Sequence, residues 1–196
     1  MREDVAAAVD AVRRGELVVY PTETVYGLGA DASSAAAVER VFELKGRPRE
    51  DPLSFAVPDV DAALDYVRPT PREERFMRDF LPGPVTVVVE RADALPDVLT
   101  AGRDRVGVRV PDHELARTFL RGVSPTPVTA TSANVSGSPS VTRPSDLDAR
   151  VRDGVAAVVD GGETPGTEST VVDPGTGDVH RRGAMAEDVA AWLRSE

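Results

Sequence analysis

Two short polar segments hold side chains that solubility alone does not require. Lys45-Gly46-Arg47-Pro48-Arg49 places three cations within five residues, and the run from Thr129 to Ser140, TATSANVSGSPS, strings hydroxyls, backbone N–H groups and one carboxamide together. The chain has 22 arginines but one lysine, Lys45, and one asparagine, Asn134, and it has no glutamine. A compact ammonium beside a forked guanidinium suits a triphosphate, although such a cluster at a helix C-terminus also complements the helix dipole. The serine-rich run reads either as a flexible loop or as a ligand loop that has kept its one amide. A third segment, Pro21-Thr22-Glu23-Thr24-Val25-Tyr26-Gly27-Leu28-Gly29, offers two hydroxyls, a carboxylate and glycines that admit close backbone approach to a small polar ligand; taken alone it is a turn. Arg109, in Val106-Gly107-Val108-Arg109-Val110, lies on a solvent face or is buried against an anion. Strand alternation places it with Gly107, opposite Val108 and Val110. Glu168-Ser169-Thr170 and Arg181-Arg182-Gly183 complete the polar set.

The elements that must position these residues follow from hydrophobic period and punctuation. Val5, Val9 and Val12 share a helical face closed by Gly15, and Leu17 to Tyr20 is a short buried strand ended by Pro21. Asp31 or Ser33 can cap a helix running to about Leu44, Pro52 to Val57 reads as a strand, Asp59 caps a helix containing Leu64, and Pro71 opens one through Phe80. Val85 to Val89 and Val106 to Val110 are β-branched strands with a loop between them. A helix from His113 to Leu120, a strand from Val128 to Ala130, a helix from Leu147 to Val151 and a strand from Val155 to Val159 follow. Thr170-Val171-Val172 and Val179-His180 flank a turn sequence at Asp173 to Gly177, and Glu187 to Leu193 closes with a helix. Interleaved helices and strands predict an α/β (mixed α+β) class: one domain over residues 1–196, with a twisted mixed open sheet flanked by helices. Its polar segments fall at strand ends, where open sheets commonly place ligands.

Composition narrows the chemistry. The 196 residues carry 23 basic and 33 acidic side chains, a formal charge of −10, which disfavours general nucleic-acid binding through a basic surface. Acid excess with lysine loss is what a high-salt cytoplasm or a GC-rich genome favours, so the charge reads as solubility. Having no cysteine, the chain has no thiolate nucleophile or zinc–thiolate site, and its two histidines, His113 and His180, are too few for a histidine-rich metal site. His113 is expected to be structural or exposed, and His180 incidental. No signal-peptide pattern and no long apolar run is present, so a cytoplasmic location without membrane attachment is the default.

In order, PTETVYGLGADA, KGRP, PGPVT, VGVRVP, TSANVSG and TEST followed by RRG resemble the YrdC-like threonylcarbamoyl-AMP synthases, from about Leu17 to Gly183. That family's signature pairs Lys-x-Arg with Ser-x-Asn, here Lys45 with Arg47 and Ser132 with Asn134. The resemblance implies a large concave active-site cavity and synthesis of threonylcarbamoyl-adenylate and pyrophosphate from L-threonine, bicarbonate or CO2, and ATP. The product would pass to a separate tRNA threonylcarbamoyltransferase complex, for N6-threonylcarbamoyladenosine at position 37 of tRNAs reading ANN codons. It further implies that Thr24, Arg109, Ala130 and Ser169 hold threonine, that Lys45, Arg47, Ser132, Ser140 and Arg181 meet ATP, and that Asn134 belongs to the same catalytic loop. Mg2+ would come on the ATP phosphates, without a protein metal site or a tightly bound organic cofactor. Some relatives have asparagine where Asp51 stands and histidine where Ala56 stands, so neither contact is implied here. Longer members add a C-terminal domain, for which this chain ends too early. Two alternatives remain: an RNA-binding module with a local basic concavity, and a stand-alone paralogue forming carbamoyl-adenylate.

Overall fold

The computed structural model describes residues 1–195, and among them one mixed sheet collects the strands. In chain order these are β1 (Val18–Tyr20), β2 (Gly27–Gly29), β3 (Ser54–Ala56), β4 (Val85–Glu90), β5 (Arg105–Arg109), β6 (Val128–Ser132), β7 (Ala157–Val158), β8 (Thr170–Asp173) and β9 (Asp178–Arg181). The spatial order is β7-β1-β2-β6-β3-β5-β4-β8-β9, with parallel pairs β1/β7, β3/β5 and β4/β8 and antiparallel pairs elsewhere. The helices are α1 (Glu3–Arg13), α2 (Ala35–Lys45), α3 (Val60–Ala63), α4 (Pro71–Phe80), α5 (Asp97–Thr100), α6 (Glu114–Val123), α7 (Ala149–Gly154) and α8 (Ala186–Ser195). Among the described residues, no helix is long and apolar enough to cross a membrane.

Local chemistry accounts for the helix ends that matter to the site. Ser34, rather than Asp31 or Ser33, caps α2 by accepting from the Ala37 N–H, and Gly46 ends the helix at φ 61°, the left-handed region where glycine carries no steric penalty. This turn sends Arg47 away from the helix axis just after Lys45. Thr70 and Glu73 form a reciprocal capping box on α4 with Pro71 in its first turn. One strand escapes the sequence reading: Gly27–Gly29 is β2, enclosed between β1 and β6. Glycines are poor strand formers, but a Cβ on Gly29 would stand 2.8 Å from Val128 Cγ1, so close packing requires the residue that propensity disfavours. The expected loop between β4 and β5 also contains the single helical turn α5.

Alternation sorts the side chains onto two faces. Leu28, Phe55, Val87, Val108 and Val172 enter the larger core, which also takes the apolar sides of α2 and α4. On α8, Trp192 meets the Phe76 ring edge-on at 4.9 Å and donates its indole N–H to Asp79 at 2.8 Å. The other face is covered by α1 and α6 over Val18, Tyr20, Ala56 and Val128. Beyond them, β3, β4, β5, β6 and β8 carry the walls and floor of a cavity of about 580 Å³.

Candidate active site

Strand register sets the cavity floor. Ala56 pairs with Arg109, Ser54 with Ala130, Val88 with Gly107 and Thr86 with Val171, and all eight residues line the cavity. Gly107 keeps that floor low, since a Cβ there would lie 2.2 Å from Ser54 Oγ and 2.9 Å from Thr86 Cγ2. Val108, one residue on, is fully buried in the core, as alternation requires.

Arg109 is 6% exposed and strongly held. Its Nη1 donates to the carbonyls of Gly83 (3.0 Å) and Val85 (3.2 Å), and its Nη2 donates to Glu23 Oε1 at 2.7 Å. A guanidinium has five N–H donors, so these three bonds leave two for an incoming anion. Thr24, buried on the cavity wall beside it in the β1–β2 turn, shares a 2.8 Å hydrogen bond with Thr22, whose hydroxyl donates to the Val25 carbonyl at 2.7 Å. Ser169, just before β8, hydrogen-bonds the Thr86 hydroxyl at 2.9 Å across the β4/β8 pair. A buried cation with two unused donors, in a cavity also lined by the Thr24 and Ser169 hydroxyls, suits a small carboxylate carrying further polar groups.

The remaining cations converge from α2, the loop after it and β9. Arg47 lines the cavity and donates to the carbonyls of Asp51 (3.0 Å) and Pro52 (3.1 Å). Burial holds Arg47 below its ordinary value, with the Arg181 charge adding to that and Asp51 opposing it. Arg181 also lines the cavity; it donates to the Ser169 carbonyl (3.0 Å) and hydroxyl (2.9 Å) and pairs with Glu168 at 2.8 Å. Ser140 donates to the other oxygen of Glu168 at 2.6 Å. Ala130 and Ser132 lie on the cavity wall.

Lys45 and Asn134 meet underneath this wall. Lys45 is 1% exposed, and its ammonium donates to the carbonyls of Ser132 and of Asn134, the latter at 2.7 Å. Burial first, then the charge of Arg47, pull Lys45 down to about 8, against the pull of Glu168. The Asn134 carboxamide donates to the carbonyls of Val135 (3.0 Å) and Ser138 (2.7 Å), and its own Oδ1 is buried without a partner. Lys45 thus reaches the cavity through the Ser132–Asn134 backbone that it fixes, while Arg47 faces the cavity directly.

For several lining or supporting residues the sequence marks the segment at most and leaves the partner open. Glu23 and Glu168 are two among 33 acidic residues, and only the fold shows that each is paired with an arginine of the cavity. Thr86 has a faint signal, a hydroxyl inside Val85-Thr86-Val87. Arg105 lines the cavity tied to Glu73 (2.5 Å) and Asp173 (2.7 Å). His180, expected to be incidental, stands on the cavity wall. His113 is the N-cap residue of α6, half-buried, and burial draws it below its ordinary value against Glu23, Glu114 and Asp112.

Comparison with known proteins agrees with this architecture. The Sua5/YciO/YrdC family model, described as telomere recombination, matches residues 10–183, and the chain belongs to that family. It is 42% identical over 168 residues to a threonylcarbamoyl-AMP synthase of Pyrococcus abyssi, a match covering 85% of this chain and 49% of that protein. It is 35% identical over 189 residues to a threonylcarbamoyl-AMP synthase of Escherichia coli O9:H4, covering 93% of this chain and 97% of that protein. The chain therefore spans about half the length of the longer curated relatives, 49% and 52% for those of Pyrococcus and Bacillus subtilis, and nearly all of the shorter kind. Among solved structures, P. abyssi Sua5 complexed with L-threonine superposes with a TM-score of 0.86 at 37% identity, covering 96% of this chain and 58% of that one.

Proposed function

We propose that this chain is a nucleotidyltransferase that forms threonylcarbamoyl-AMP and pyrophosphate from L-threonine, bicarbonate or CO2, and ATP. The observation that carries the reading is that one cavity joins a buried guanidinium with two unused donors, several hydroxyls and further cations. Relatives named threonylcarbamoyl-AMP synthase, and one crystallised with L-threonine, support it.

In this reading the threonine carboxylate takes the two remaining donors of Arg109, with the Thr24 and Ser169 hydroxyls and the Ala130 backbone completing that end. The amine adds to CO2 with loss of a proton, giving a carbamate. One carbamate oxygen attacks the α-phosphorus of ATP, the bond from that phosphorus to the bridging oxygen breaks, and pyrophosphate departs. No side-chain nucleophile is required; positioning and neutralisation of phosphate charge do the catalytic work. Arg47 and Arg181, with the hydroxyls of Ser132 and Ser140, face the phosphates, and Lys45 with Asn134 fixes the end of β6 that carries Ser132. Mg2+ would supply further charge neutralisation while held by the phosphates. Among the described residues no three His, Cys, Asp or Glu side chains cluster as a metal cage, and phosphate and water oxygens are the ligands Mg2+ prefers. The adenylate would be consumed in the cytoplasm by a tRNA threonylcarbamoyltransferase complex.

The test is pyrophosphate release by purified protein given ATP, Mg2+, bicarbonate and threonine in high salt. Release should depend on both threonine and bicarbonate; release indifferent to either one refutes the reading. Arg109→Ala should lose activity through threonine and Lys45→Ala through ATP.

A further inference from the structure

Ser140 and Arg181 come from different parts of the chain, the loop after β6 and the end of β9, yet they converge on one carboxylate. Glu168 accepts the Ser140 hydroxyl on Oε1 at 2.6 Å and pairs through Oε2 with Arg181 Nη1 at 2.8 Å. A serine hydroxyl has one proton to donate, so while it is bonded to Glu168 it cannot bind a phosphate oxygen. Glu168 lines the cavity, and the two side chains of the ion pair are 40% and 46% exposed, so neither partner is sealed in. Glu168 is also the carboxylate that offsets Lys45 electrostatically, in a cluster where Arg47 and Arg181 repel each other.

We infer that Glu168 is an internal anion of the nucleotide site: it holds Ser140 and Arg181 when the cavity is empty, yields both to phosphate oxygens on binding, and recaptures them as pyrophosphate leaves. The inference rests on the nucleotide reading proposed above. It assigns Glu168 a positioning role, setting how tightly phosphates are held. An exposed ion pair is weak, so exchange is cheap in both directions. The same carboxylate lowers the positive potential that would otherwise trap the pyrophosphate product.

Titration calorimetry with ATP and, separately, with pyrophosphate, on the intact chain and on Glu168→Gln and Glu168→Ala, tests this. Both variants should bind pyrophosphate about fivefold more tightly than the unaltered protein, the change expected from removing one competing exposed pair. Their turnover should fall as product release slows. Damage to the fold would weaken binding, so the sign of the change separates the internal anion from a merely structural residue. Equal or weaker binding by both variants, with ATP still bound by the unaltered protein, overturns the inference and leaves the proposed function standing. Failure of the unaltered protein to bind ATP at all overturns both.

Discussion

Arg109 offers the most demanding test, because its three bonds assign a magnitude. The Arg109 side chain is 7% exposed, that of its partner Glu23 is 15% exposed, and Glu23 Oε2 is buried without a hydrogen-bond partner. Arg109→Met, which keeps much of the side-chain volume, removes the cation paired with that carboxylate and frees the Gly83 and Val85 carbonyls. Breaking a buried pair in this way costs about 3–5 kcal/mol. Glu23→Ala should cost less, near the lower end of that range, because the two carbonyls still satisfy Nη1. In the double variant neither charge is stranded, so the cycle should show a coupling of about 2–3 kcal/mol, read as urea-derived unfolding free energies. Costs that add to within about 0.5 kcal/mol would show that the pair is not energetically real. Arg109→Lys adds a functional arm. An ammonium has three donors and no fork, and Glu23 with the two carbonyls can take all three, so threonine affinity should fall by at least about tenfold. Unchanged threonine binding in that variant refutes the assignment of the two unused donors.

Two further perturbations address the floor and the buried ammonium. Gly107→Ala puts a Cβ 2.2 Å from Ser54 Oγ and should destabilise by about 1–3 kcal/mol, with Ser54→Gly in the same chain restoring much of the loss; calorimetric melting checks both, and a melt unchanged by Gly107→Ala counts against the close floor. Lys45 sits at about 8 in the folded chain against an ordinary 10.5, so between those values the unfolded chain binds the proton that the folded chain has shed. Unfolding free energy should therefore gain with rising pH across that window in the unaltered protein, and Lys45→Met should lack the gain. A stability difference between the two that stays constant from pH 8 to 10 refutes the burial argument.

Much of the fold was legible because its signals are local. Valine runs give β4 and β5, and Pro71 announces α4. Arg109 shares its face with Gly107, as strand alternation predicts: both line the cavity while Val108 is in the core. What was not legible depends on partners distant in sequence. Gly27–Gly29 is a strand because β1 and β6 enclose it, which no propensity reveals. Lys45 stood out by rarity, but its burial beneath the Ser132–Asn134 carbonyls comes from a contact spanning 87 residues. Glu23 and Glu168 lie in polar segments that the sequence singles out, but their pairing with Arg109 and Arg181 depends on which arginine the fold brings to them.

Those pairings explain how a chain of formal charge −10 keeps several cations at one cavity. Arg109 is matched with Glu23, Arg181 with Glu168, and Arg105 with Glu73 and Asp173, while Arg47 and Arg103 are held by backbone carbonyls. A cluster of unpaired guanidiniums in a half-buried cavity would carry both desolvation and mutual repulsion in the empty state. Pairing relieves that strain and still leaves N–H donors free, because each guanidinium has more N–H groups than one carboxylate can use. The difference between the two ends of the cavity then follows from exposure. Arg109 and Glu23 are largely buried, so their bond is expected to persist when a ligand joins it; Arg181 and Glu168 are open to water, so theirs is the pair that can exchange.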